Sequence, residues 1–204
     1  MEDKRRLDEI LARLRRAEEE LEQELDRLLE EKRRRFRYTL RQGRVVFERG
    51  IRGWQRQQRM AIWRYLRTAP LLFILSAPVI YALIVPLVLL DVAVMLYQQI
   101  CFRIYGIPLV RRRDYLVVDR HALAYLNAIE KFNCVYCGYS NGLIAYVREV
   151  AGRTEQFWCP IKHARRVRDA HRHMEKFFDY GDAEAWRTRL AELRRDWEQD
   201  FRDD

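Results

Sequence analysis

Cys134, Cys137, Cys159 and His163 are the residues of this chain whose types and spacing most readily do chemistry. They follow the pattern C-x2-C, 21 residues, C-x3-H. Two thiolates three residues apart reach one ion, and three thiolates with one imidazole fill the four positions of a structural zinc site. Gly138 stands where the backbone of a metal knuckle must turn with positive φ. Pro160 suits the first turn of a helix that carries His163 one turn beyond Cys159. Zinc on Cys134, Cys137, Cys159 and His163 is therefore the expectation. Three alternatives stay open. Cys134 and Cys137 form a redox disulfide or remain inert thiols, or Cys101 replaces His163 in an all-thiolate site for iron or an iron–sulfur cluster.

Other groups are weaker candidates. Glu149 and Glu155 flank the cysteines, as acceptors for His163, as a base beside metal-bound water, or as surface carboxylates paired with Arg148 or Arg153. His171 reads as a core histidine and His173 as a solvated one. Ser140 has no histidine–acid partners in evidence, and neither a phosphate loop nor H-E-x-x-H occurs. No catalytic residue is assigned. The reading favours a structural or interaction protein over an enzyme.

A site of this kind needs a scaffold, and charge divides the chain into parts. Residues 1–32 carry 8 basic and 12 acidic side chains, residues 33–67 carry 12 and 1, and residues 68–204 carry 19 and 17. Leu7, Leu14, Leu21 and Leu28 recur every seven residues, which predicts an amphipathic coiled-coil helix over 1–42. Its partner is a second copy of the chain or the C-terminal stripe of Trp186, Leu190, Leu193, Trp197 and Phe201. The basic, aromatic-rich stretch 43–68 reads as a juxtamembrane segment on anionic lipid, with nucleic acid the less favoured ligand. Ala69–Leu90 holds no charged residue, so 69–100 is read as a membrane segment: a kinked single span or a re-entrant hairpin at Pro78 or Pro86. Asp91 is the one acid in that run, and an intramembrane acid is a functional candidate.

The remainder predicts a small metal-bound helical domain over 101–181 and an amphipathic helix over 182–204 capped by Asp182. Within it, Tyr115–Val118 reads as extended. One helix is expected to deliver Cys134 at its end, a second starts at Asn141 and stops near Gly152, and a third runs from Pro160 to Tyr180. The fold class is thus mainly α. Cys134–Val135–Tyr136–Cys137–Gly138–Tyr139 resembles the metal knuckle of rubredoxins and zinc ribbons, without their second C-x2-C. Asn133–Cys134, Tyr136–Cys137, Asn141–Gly142, Arg153–Gln156 and Trp158–His163 together resemble a family of bacterial membrane proteins over roughly residues 95–170. That resemblance implies a bacterial inner-membrane location and no particular activity; a cytoplasmic metal domain is expected from the basic flanks.

Overall fold

The computed structural model describes residues 2–41, 44–48 and 50–197, and the protein is mainly helical. Two compact units divide it: residues 1–60 with 122–127, and residues 61–121 with 128–204.

The first unit opens with α1, Glu2–Phe36. Its charged sequence and lack of glycine or proline favour a long helix. It ends earlier than expected, because Arg37 adopts φ 51 and the chain turns into an antiparallel pair, β1 Tyr38–Arg41 and β2 Arg44–Phe47. Tyr38 stands opposite Phe47, and their rings lie 5.8 Å apart. β-Branched and aromatic residues with a glycine at 43 carried that signal, which the heptad reading overran. α2, Ile51–Gln57, follows. Ile10, Leu21, Leu25 and Leu28 on α1 are exposed; the Leu7 and Leu14 side chains lie outside the described set.

The second unit begins with α3, Ile62–Thr68, and then a single long apolar helix from Leu71 to Tyr105. This helix comprises α4 Leu71–Ala82, α5 Ile84–Tyr97, a π turn at Gln98–Phe102 and α6 Arg103–Tyr105. Pro78 and Pro86 each remove an amide donor, and the helix breaks for one residue at Leu83, which stays right-handed with φ −64. The chain therefore continues as one helix, and no hairpin turn forms. Gly106, at φ 69, ends it, with the Ile107 amide donating to the Phe102 carbonyl.

A return segment contains α7, Arg112–Tyr115, and leads to α8, Ala128–Trp158. α8 is one helix of 31 residues. Asn141 and Gly152, expected as helix boundaries, lie inside it. Residues 160–180, expected as a helix, are irregular except for a 3-10 turn at Arg172–Lys176, and the Pro160–Phe178 pairing closes them into a loop. α9, Ala183–Leu193, has the expected cap: Asp182 accepts from the Ala185 amide at 2.9 Å. The core sits where these pieces meet the lower part of the apolar helix: Phe102, Ile107, Val110, Leu143, Tyr146, Val150 and Trp197. Leu193 and Trp197 are thus used inside this unit.

Candidate functional site

The expected metal ligands do not converge. Cys134 and Cys137 lie on consecutive turns within α8, Cys159 follows its last residue, and His163 is exposed in the loop beyond. At 1.5 Å per residue, about 30 Å of helix separates the cysteine pair from Cys159. The physical reason is Gly138. It is helical and buried, and what its missing Cβ admits is the Val117 carbonyl, which would lie 3.3 Å from such an atom. The glycine expected to turn a knuckle serves close packing instead. All four thiols are free, and no group of three His, Cys, Asp or Glu side chains among the described residues is placed to hold an ion. Local desolvation, aided by the Glu155 carboxylate, pushes the thiol of the exposed Cys159 above its ordinary value. Cys101 lies in the π turn of the apolar helix.

What the fold does assemble is a ladder of polar contacts between the apolar helix and α8. The two helices run side by side in the same direction. At the top, the Tyr81 hydroxyl meets the Asn133 side chain, and the Tyr136 hydroxyl donates to the Ile80 carbonyl at 2.7 Å. That carbonyl lies beside the break at Leu83, so a tyrosine serves backbone that the break loosens. One step down, Asp91 is 5% exposed. It accepts from Arg112 Nε at 3.0 Å and Nη2 at 2.6 Å, and from the Tyr139 hydroxyl at 2.9 Å. The pairing is bidentate, the strong geometry for guanidinium and carboxylate. Next, Gln98 Oε1 accepts from the Val110 amide at 3.0 Å, while its Nε2 donates to Tyr146 and to the Val110 carbonyl. At the bottom, the Tyr97 and Thr154 hydroxyls lie 3.0 Å apart.

Gly142 lets the return segment into this assembly. A Cβ there would lie 2.6 Å from the Tyr115 carbonyl. Only a glycine allows α7 to approach closely enough for Arg112 to reach Asp91.

Family models, curated proteins and solved structures were compared with the chain, and none matches.

The lower half of α8 carries a second cluster. Glu149 Oε1 accepts from Arg153 Nε at 2.8 Å and Arg172 Nη2 at 2.9 Å, and lies 3.1 Å from His173 Nε2. Burial alone would raise the Glu149 pKa, but the hydrogen bonds from His173, Arg172 and Arg153 outweigh it and hold the carboxyl far below the usual range. His173, expected in solvent, is 1% exposed. Its Nδ1 faces Gln156 Oε1 at 3.0 Å, and Gln156 Nε2 donates to the Leu193 and Asp196 carbonyls. Glu155 bonds His171 at 2.8 Å. Glu149 and Glu155 are thus tied within the protein, and neither faces His163. This cluster fastens the 172–176 turn and the segment after α9 to α8. Asn133, Tyr136, Tyr139 and Tyr146 signalled the ladder in sequence: an asparagine and three tyrosines spaced three or seven apart along a helix.

Proposed function

We propose that the chain is a membrane-anchored structural or interaction protein whose domain is clamped along its own anchor. The observation that carries this is the asymmetry of the Leu71–Tyr105 helix. It has 35 residues, its most apolar 18-residue window has a mean hydropathy of 2.7, and 6% of that window is buried. About 20 residues suffice to cross a hydrocarbon core. One side is stitched to α8 by the ladder, while Leu72, Leu75, Val85, Leu89, Leu96 and Ile100 stand bare. Bare apolar surface on this scale calls for lipid. A soluble reading leaves it in water at roughly 25 cal/mol per Å2.

The polar side chains fit the same reading. A charged residue in a span is tolerated when it faces protein and is paired, which is the condition of Asp91. Trp63 and Tyr65 precede the helix, and Tyr105 and Trp158 stand at its end, the placement of interfacial aromatics. Four free thiols favour a reducing compartment, so we place the C-terminal domain on the cytoplasmic side of a bacterial inner membrane. The exposed Ile10, Leu21, Leu25 and Leu28 of α1 supply the surface for a partner helix or a second copy. Zinc has no part in the proposal, because the helix holds its candidate ligands apart.

Alkaline carbonate extraction of membranes tests the anchor. The intact chain stays with the bilayer, and the Leu72→Arg/Leu75→Arg variant shifts to the soluble or aggregated fraction. Release of the unaltered chain by carbonate would overturn the proposal.

A further inference from the structure

A cavity of about 540 Å3 opens beside the end of the apolar helix, lined by Tyr105, Gly106, Phe157, Ala191, Arg194, Arg195 and Trp197. Three aromatic residues and two arginines line it, and no acidic residue is among the described lining. The nearest acids are engaged elsewhere: Glu192 lies 3.6 Å from Arg189, and Asp196 lies 3.4 Å from Lys176. Arg194 is fixed in place. Its Nε donates to the Phe157 carbonyl at 2.8 Å, and its guanidinium lies 4.9 Å from the Phe157 ring centre. That leaves its two terminal nitrogens without a partner among the described residues. Arg195 has no ion pair among them either. Two arginines at one mouth, without an ion pair among the described residues, favour an anion there.

The cavity also has an apolar approach. Ile104, next to Tyr105, is 72% exposed, and Trp158 stacks edge-on against Tyr105 at 5.2 Å. The bare stripe of the apolar helix therefore ends beside Tyr105, which lines the cavity. An acyl chain lying on that stripe brings its headgroup to the cavity.

Resting on the membrane reading above, we propose that this cavity binds the phosphate headgroup of an anionic lipid. Arg194 and Arg195 hold the phosphate oxygens, and Tyr105, Phe157 and Trp197 wall the glycerol side. The volume suits a single headgroup.

The test uses the full chain in nanodiscs of phosphatidylcholine mixed with phosphatidylglycerol, with lipids retained on release read by native mass spectrometry. The expected result is one retained phosphatidylglycerol per chain. Arg195→Glu lowers its occupancy roughly tenfold, and Arg195→Lys keeps part of it, as loss or weakening of one charge-assisted contact requires. Three results would overturn the site. One is equal retention of neutral and anionic lipid. Another is displacement by inorganic phosphate alone, which would make it a free-phosphate site. The third is anionic lipid appearing only after Glu198, Asp200, Asp203 and Asp204 are replaced by amides, which would make the chain's own acidic end the occupant. A variant that keeps carbonate-resistant membrane association yet loses the lipid bears on the cavity alone. A chain that never associates with membranes fails the anchor proposal instead.

Discussion

Asp91 shows how one residue's meaning depends on its partners. In sequence it interrupts an apolar run and reads as a functional candidate. In the fold it meets Arg112 and Tyr139, from elements 21 and 48 residues later. Nothing in the local sequence names either partner, so the acid was legible and its pairing was not. Removing one member of a buried pair leaves the other uncompensated. Asp91→Leu should destabilise the domain by about 2–3 kcal/mol, less than a fully buried pair because Arg112 is partly exposed. Arg112→Leu on its own should cost a similar amount. The double variant should recover more than half of the summed loss, as measured by thermal unfolding in detergent. Additive losses would show that the two residues act separately.

At the scale of elements, α8 is where sequence and structure part most clearly. Gly138, Asn141 and Gly152 are poor helix formers, and together they predict three short helices. Tertiary packing reverses that reading. Gly138 and Gly142 face the return segment at distances no Cβ tolerates easily, and Gly152 faces His171 and His173 at 3.1 and 3.0 Å. The glycines are selected for closeness to a neighbour, which propensity does not encode. The expected metal ligands stand apart in the fold for the same reason: C-x2-C spacing is compatible with a turn and with one helical face, and here packing takes the helical face. The apolar helix was legible because a long uncharged run has few alternatives. The Asp182 cap was legible because its hydrogen bond is local. Gly142→Val should push the Tyr115 carbonyl away and cost about 1–3 kcal/mol. Limited proteolysis should then cut first in the 112–120 segment, whereas Gly53→Ala, whose surroundings are open, should leave the pattern unchanged.

At the scale of the whole molecule, stability is concentrated where α8, the 172–176 turn and the segment after α9 share Glu149 and Gln156. Because folding depresses the Glu149 pKa, its contribution is fully present above the unfolded value of about 4.3 and is lost as pH falls toward the folded value. Acid titration followed by Trp197 fluorescence should show the C-terminal segment loosening in that range. Glu149→Gln should be less stable at neutral pH and show a flatter dependence on acid; an unchanged acid slope would remove Glu149 from this role. The ladder carries a further consequence, in the order of synthesis. Asp91 is made 48 residues before Tyr139. At about 5–20 residues per second, the carboxylate waits roughly 2–10 s for the phenol that completes its shell. On the proposed membrane reading, the nascent helix would meet the bilayer with Asp91 able to reach Arg112 first and Tyr139 only later, so completion of the acid's shell would wait on a helix made downstream of it.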